Sequence, residues 1–147
     1  MSINYNLQIE TDLNPKDSLK FLKSSDFQET GDGELSGYGL VIKAQKTDKV
    51  SQELIEESFG FKPQLQISFW LQPHYQDVTN RNRVQIKSVM ELLEKISGDA
   101  VFLFEYDKAI LRKKSEKLIV NQLSFKKDDE RLKEIKIPYT VEPLPNL

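Results

Sequence analysis

The sequence predicts an α+β fold: a mixed or mainly antiparallel sheet with a long helix and one or two shorter helices packed on one face. Three observations support this prediction. Residues 65–71 alternate apolar and polar side chains, which is the period of a half-buried strand. Residues 76–97 place apolar side chains at helical spacing. Three short apolar segments separated by tight turns then predict a C-terminal three-stranded meander.

The other elements follow from the same two periodicities. Residues 3–9, for example, alternate apolar and polar side chains like residues 65–71 and predict a strand. In chain order, the predicted elements are a strand at 3–9, a short helix from 15 to about Ser24, a strand at 38–44, a short helix from 51, a strand at 65–71, the long helix at 76–97, and strands at 100–106, 109–113 and 118–123.

Helix boundaries are predicted from capping residues. Asn14 followed by Pro15 is typical of an N-cap with proline at the first helical position. Ser51 is predicted to cap the second helix. Gly60 and Gly98 are predicted to end the second helix and the long helix, because glycine readily adopts the left-handed conformation found at helix ends.

Turn residues and prolines delimit the strands. Pro73 closes the strand at 65–71, since proline cannot donate a hydrogen bond to a neighbouring strand. Residues 100–106 are apolar on both faces, which predicts a central strand covered on both sides. Three prolines from position 138 onward predict an extended tail over about residues 138–147.

Length and composition favour one cytoplasmic domain. The 147 residues are typical of a single domain, which we predict to span residues 1–147. The chain has no cysteine, which excludes a disulfide framework and thiol chemistry and fits a reducing cytoplasm. The first ten residues lack the pattern of a signal peptide, and no apolar run has the length of a transmembrane helix. We therefore expect no membrane association.

The formal net charge of −2 is unevenly distributed. Residues 1–57 contain eleven acidic and six basic residues, a balance of −5, whereas residues 108–136 contain ten basic and five acidic residues, a balance of +5. Such a separation could steer a charged partner, although mixed charges on solvated surfaces are the commoner explanation. The overall negative charge argues against nucleic-acid binding, despite the small basic patch at residues 112–117.

The residues that usually carry catalysis or bind metals are scarce. His74 is the only histidine; Asp77, three residues later, could orient it, but no nucleophile stands at a recognisable spacing. A metal site would need His74 to recruit scattered carboxylates. The glycines around Asp32 precede a strand, whereas a phosphate-binding loop precedes a helix. The sequence therefore predicts a protein that is not an enzyme and uses no cofactor or metal.

Two groups of residues are candidates for contacting a protein partner. Strand parity places Trp70 opposite the apolar face that carries Phe69, and His74 and Tyr75 follow shortly after. Trp70 is either an exposed anchor of an interface or a second-core residue beneath a helix, and the sequence leaves both possibilities open. The second group is an acidic segment that a basic partner could meet, and it consists of Asp26, Glu29, Asp32 and Glu34.

Several short pieces of the sequence, taken in order, resemble a known family. The pieces are INYNL at 3–7, LNP at 13–15, ESFGFKP at 57–63, SGDAV at 97–101 and ILRK at 110–113. Together they are similar to the Sit-type immunity family, whose members protect myxobacteria from swarming-inhibition toxins. The resemblance extends from the first strand to about Asn121.

This resemblance implies a small cytoplasmic protein that binds and neutralises a cognate polymorphic toxin. It implies no catalytic residues. The leading hypothesis is therefore an immunity protein acting by stoichiometric occlusion of a contact-dependent bacterial toxin, with complementary charge speeding capture. The alternatives are a general protein-binding module, such as a secretion chaperone or adaptor, and a hydrolase using His74 with a carboxylate. A toxin gene next to the gene for this chain would favour the first hypothesis.

Overall fold

The computed structural model describes residues 3–22, 27–125 and 129–147. These residues form nine strands, three α-helices and two 3-10 helices. In chain order they are β1 (Ile3–Ile9), α1 (Pro15–Ser18), a first 3-10 helix (Leu19–Leu22), β2 (Gln28–Gly31), β3 (Glu34–Gly37), β4 (Leu40–Lys46), α2 (Lys49–Phe59), β5 (Leu65–Leu71), α3 (Val78–Lys95), β6 (Ala100–Phe104), β7 (Lys108–Lys114), β8 (Lys117–Asn121), a second 3-10 helix (Glu130–Glu134) and β9 (Tyr139–Glu142).

All nine strands belong to one mixed sheet, in the order β2-β3-β4-β5-β1-β6-β7-β8-β9. Neighbouring strands are antiparallel except for β8 and β9, which are parallel. The first strand lies in the middle, because Leu7 pairs with Ile67 of β5 on one side and with Phe102 of β6 on the other. All three side chains are fully buried, so the first strand of the chain forms the centre of the core.

The fold class is α+β, but the predicted arrangement of the sheet is wrong. In the described part of the chain, β6, β7 and β8 do not form a separate C-terminal meander. They continue the nine-stranded sheet between β1 and β9. Strand β9 comes from the tail that was predicted to be extended, and its Tyr139 pairs with Leu118 of β8. Pro138 and Pro143 flank β9, so their missing N–H groups lie outside the four paired residues.

Residues 28–37, for which the sequence predicted neither a strand nor a helix, form a β-hairpin. Strand β2 pairs with β3, with Glu29 opposite Leu35. Gly33 turns the chain between them with a φ of +70°, a conformation that side chains larger than hydrogen disfavour. All four residues of β2 are exposed, so they carry no apolar alternation by which the sequence could reveal a strand.

The helices are short, and the predicted long helix over residues 76–97 is not formed at that length. The longest helix, α3, has 18 residues and ends at Lys95. It begins after Asp77, whose Oδ1 accepts a hydrogen bond from the backbone N–H of Asn80 at 3.0 Å. None of the described helices combines the length and the apolar character that a membrane crossing requires.

Two predicted helix boundaries are confirmed. Asn14 caps α1, since its Oδ1 accepts a hydrogen bond from the backbone N–H of Lys16 at 3.0 Å and Pro15 is the first helical residue. Gly60 ends α2 in the left-handed conformation, with a φ of +76°. The predicted end of the first helix, at about Ser24, lies outside the described residues.

The predicted cap of the second helix is wrong by three residues. Asp48, not Ser51, is the N-cap of α2: its Oδ2 accepts the backbone N–H of Ser51 at 3.0 Å, and its Oδ1 accepts the Ser51 hydroxyl at 2.7 Å. These hydrogen bonds, from the hydroxyl first and then from the backbone, hold the pKa of Asp48 below its usual value. The cap therefore depends on an ionised carboxylate.

Asp48→Ala is expected to lower the free energy of unfolding by about 1 kcal/mol at pH 7, as the loss of an N-cap does. Because the folded pKa is depressed, this stabilisation is present above the carboxyl's unfolded pKa and is lost as the pH falls through its folded pKa. Urea titrations at neutral and acidic pH measure the difference. Asp48→Asn is the control, since asparagine keeps an oxygen acceptor; an equal loss in both variants at every pH would contradict this explanation.

Both faces of the sheet are covered, so the prediction that the helices pack on one face is wrong. Successive residues of β6 point to opposite faces: Phe102 joins a first apolar cluster, whereas Val101 and Leu103 join a second. Helix α3 and the two 3-10 helices pack on the first face. Helix α2 packs on the second face through Ile55 and Phe59. The predicted burial of β6 on both sides is confirmed.

Candidate partner-binding surface

The apolar cover of the second face is confined to one half of the sheet. Leu144 and Leu147 join α2 in packing around Val101, Leu103 and Ala109 of β6 and β7. Among the described residues, none from β1, β4 or β5 belongs to this cluster. We call their second-face side chains the polar half-face: Asn4, Asn6, Gln8, Val41, Lys43, Gln45, Gln66, Ser68 and Trp70.

Strand register assembles the polar half-face from segments that are distant in sequence. β5 lies between β4 and β1, and all three strands pair over seven residues. Side chains directly opposite each other in neighbouring strands are close enough to interact. The register gives three rows across the strands: Val41, Trp70 and Asn4; Lys43, Ser68 and Asn6; and Gln45, Gln66 and Gln8.

A hydrogen-bonded network lies within these rows. The Nε2 of Gln8 donates to the Oδ1 of Asn6 at 2.7 Å and to the Oε1 of Gln66 at 2.8 Å. The hydroxyl of Thr47 donates to the Oε1 of Gln8 at 2.9 Å, and the Nε2 of Gln66 donates to the Ser68 hydroxyl at 3.2 Å. All five residues are buried. These bonds offset the cost of removing the polar groups from water.

The network is incomplete at the end near Trp70. The Oδ1 of Asn4 and the Nδ2 of Asn6 are buried, and neither has a hydrogen-bond partner among the described residues. Asn6 has 0% of its surface exposed. Unpaired polar atoms in a protein interior are uncommon and destabilising, so they call for a specific explanation. Strand parity assigned these residues to a polar face but did not reveal that their amide groups are buried. The sequence signal that could have indicated burial is that these side chains are amides and not charged groups.

The sequence left open whether Trp70 is an exposed interface anchor or a buried second-core residue, and its burial in the structure lies between the two. Its side chain is half-buried, and it joins neither apolar cluster. Its Cα pairs with Val41 of β4 and with Asn4 of β1, so it stands beside the unpaired end of the network. A partly exposed tryptophan among hydrogen-bonding side chains resembles the aromatic anchors of protein interfaces.

The other two residues of this group lie in the loop after β5. His74 is exposed, whereas Tyr75 is half-buried and packs its ring on Gly39: a Cβ on that glycine would lie 2.5 Å from the Tyr75 Cγ. Gly39 has a φ of +81° in the turn between β3 and β4. Of the two roles that the sequence left open for Asp77, orienting His74 or capping the helix, the structure shows the cap, since the Asp77 Oδ1 accepts the backbone N–H of Asn80. Tyr75 thus anchors the loop to the turn.

The acidic segment forms part of the edge hairpin, and lysines lie close to it. The carboxylate of Asp32 forms an ion pair with Lys16 at 2.8 Å, and Glu34 lies opposite Lys43 in the sheet. Asp32 and Glu34 line a cleft of about 200 Å³ together with Glu29, Lys16 and Lys20. Asp26 lies outside the described residues. The hairpin therefore presents mixed rather than purely negative charge.

The polar half-face consists of amide, hydroxyl, aliphatic and aromatic side chains and one lysine. Residues 3–22, 27–125 and 129–147 contain no group of three or more histidine, cysteine or acidic residues that could hold a metal ion. The pKa of Tyr5, whose side chain packs on the first face, is raised by burial. A hydrogen bond to Asp129 raises the pKa of Arg131. The chemistry that the polar half-face offers is hydrogen bonding and aromatic contact.

Comparison with known proteins identifies a family that covers most of the chain. A protein-family model described as SitI3-like matches residues 3–130, which is most of the chain. The match spans β1 to β8 and therefore includes the whole polar half-face. No curated protein and no solved structure matches the chain.

Proposed function

We propose that this chain, which belongs to the SitI3-like family, is an immunity protein that binds a cognate bacterial toxin and neutralises it by stoichiometric occlusion. The family name supports the immunity role. The observation that carries the binding role is the half-buried Trp70 on a sheet half outside the apolar cluster that α2 covers. Occlusion needs no catalytic group on the immunity protein, only a surface complementary to the toxin.

The composition of the polar half-face suits such a surface. Interfaces that form between separately folded proteins are about as polar as the rest of the surface, with aromatic residues enriched at their centres. Here the half-buried Trp70 stands among amide and hydroxyl groups, some of which are already buried in the free chain, whereas Asn4 is partly exposed and Gln45 exposed. Lys43 is the only charged side chain of the half-face, and it pairs in the sheet with Glu34 of β3. We expect specificity to come mainly from hydrogen bonds and shape, with little contribution from net charge.

The experiment that tests this proposal uses the product of the open reading frame next to the gene. The purified chain is titrated into that protein, and binding stoichiometry and toxin activity are measured on the same samples. We expect saturable binding at a fixed ratio, with toxin activity falling in proportion to the complex formed. Binding without loss of toxin activity would favour a chaperone or adaptor, and the absence of binding would overturn the proposal.

His74→Ala is expected to leave toxin neutralisation essentially intact unless His74 is itself a contact residue, because the Asp77 carboxylate that could have oriented it for catalysis caps α3. Toxin-protection assays at several ratios of the two proteins measure this. The control is a time course with the unaltered chain in large deficit, since an occluding protein protects only its own molar amount of toxin. A variant that still binds the toxin but loses a multiple-turnover inactivation would contradict the non-enzymatic mechanism.

A further inference from the structure

The buried network of the polar half-face has one complete end and one incomplete end. At the complete end, Thr47 donates to Gln8, so the Oε1 of Gln8 is satisfied. At the other end, Asn6 accepts a hydrogen bond through its Oδ1, but its Nδ2 donates to no described residue, and the Oδ1 of Asn4 accepts none. The two unpaired atoms lie two residues apart on β1, and their side chains project from the same face.

The two atoms have opposite hydrogen-bonding character. The Oδ1 of Asn4 needs a donor, and the Nδ2 of Asn6 needs an acceptor. A carboxylate could accept from Asn6 but would repel the Oδ1 of Asn4. An ammonium or guanidinium group could donate to Asn4 but offers Asn6 no acceptor. A neutral group that both donates and accepts, such as an amide or a hydroxyl, satisfies both atoms.

We propose that the toxin completes this network by placing an amide or hydroxyl group between Asn4 and Asn6, next to Trp70. This inference rests on the proposed function and adds the chemistry of the toxin's contact. The unpaired atoms lie out of contact with solvent, so the incoming group must displace a covering side chain. Trp70 is the Cα partner of Asn4 and projects from the same face, and rotation of its side chain would admit the group.

A buried polar atom without a hydrogen-bond partner destabilises the free chain. It stabilises the complex once the toxin supplies that partner. Removing the Asn4 side chain takes away an unsatisfied acceptor, so it should not weaken the fold, whereas it removes a hydrogen bond to the toxin. Removing the Thr47 hydroxyl does the opposite, because it leaves the Oε1 of Gln8 without its donor inside the folded chain. The two ends of one network should therefore respond differently.

The test compares Asn4→Leu with the matched control Thr47→Val, using urea unfolding of the free chain and the dissociation constant for the toxin. For Asn4→Leu we expect an unfolding midpoint close to that of the unaltered chain and a dissociation constant raised about tenfold or more. For Thr47→Val we expect a lower unfolding midpoint and a dissociation constant within about twofold of the unaltered chain.

Several results would overturn the inference. If Asn4→Leu binds the toxin as the unaltered chain does, the unpaired atoms serve the fold alone, for instance by holding a buried water. If both variants lose binding equally, the network matters as a whole and its open end is not the contact. Should Asn4→Leu fail to fold, Asn4→Ala decides by the same criterion. If the unaltered chain does not bind the toxin, the proposed function fails, and this inference fails with it.

Discussion

Replacing Phe69 by alanine is expected to lower the free energy of unfolding by about 3–5 kcal/mol, the range found when large buried aromatic side chains are truncated. Phe69 has 0% of its surface exposed and lies in β5 between Ile42 and Tyr5 of the neighbouring strands. Its ring meets that of Phe102 edge-on, with the centroids 5.9 Å apart. Truncation would leave a cavity at the middle of the sheet and remove this aromatic contact.

Equilibrium unfolding in urea measures this effect. Leu123→Ala is the control, because Leu123 is an apolar side chain with 84% of its surface exposed and should contribute little to stability. A loss for Phe69→Ala no larger than that for Leu123→Ala would mean that the first face of β5 is not the centre of the core.

The burial of Phe69 could be predicted from the sequence because alternation alone separates the two faces of a strand. Leu65, Ile67, Phe69 and Leu71 all face the same way, and all are buried in the structure. Alternation does not reveal what covers the opposite face, however. Gln66 and Ser68 are polar, yet both are buried, and Gln66 accepts a hydrogen bond from Gln8 of β1. Their burial depends on strands far away in sequence, which no local pattern records.

The two outer strands escaped prediction for different physical reasons. Strand β2 is exposed throughout, so hydrogen bonding to β3 holds it in place without an apolar pattern. Strand β9 lies between Pro138 and Pro143, and prolines usually argue against a strand. As an edge strand, β9 needs only four residues that can pair with β8, and the prolines fall just outside them. Proline at both ends also protects the outer edge from pairing with other chains.

The candidate surface was only partly predictable. Strand parity places Trp70 away from Phe69, which the structure bears out, but parity cannot say how much of Trp70 is exposed. The unpaired atoms of Asn4 and Asn6 depend on side-chain geometry in three strands at once. The acidic residues of the hairpin, in contrast, could be recognised in the sequence, but the lysines that lie near them in space could not. Lys16 of α1 forms an ion pair with Asp32, although the two residues are sixteen positions apart.

Trp70→Ala is expected to weaken toxin binding by about 2 kcal/mol or more, as the truncation of a central aromatic residue does at other interfaces. Trp70 is half-buried and belongs to neither apolar cluster, so the fold should lose much less stability than with Phe69→Ala. Calorimetric titration with the toxin and urea unfolding of the free variant measure the two quantities separately. The opposite pattern, a large loss of stability with normal binding by the remaining folded protein, would show that Trp70 serves the core.

Ionic strength distinguishes this surface from the acidic hairpin. The polar half-face carries a single charged side chain, Lys43, so association through Trp70 should depend little on salt, whereas capture of a basic toxin by exposed carboxylates should slow markedly as salt screens them. Asp32→Asn is the matched control, because it removes one hairpin charge and its ion pair with Lys16 without changing the side chain's size. If Asp32→Asn and high salt both slow association while Trp70→Ala does not weaken binding, the toxin docks on the hairpin. If Trp70→Ala weakens binding and the association rate changes little with salt, the hydrogen-bonding face beside Asn4 and Asn6 is the contact. Electrostatic steering then has no part in recognition.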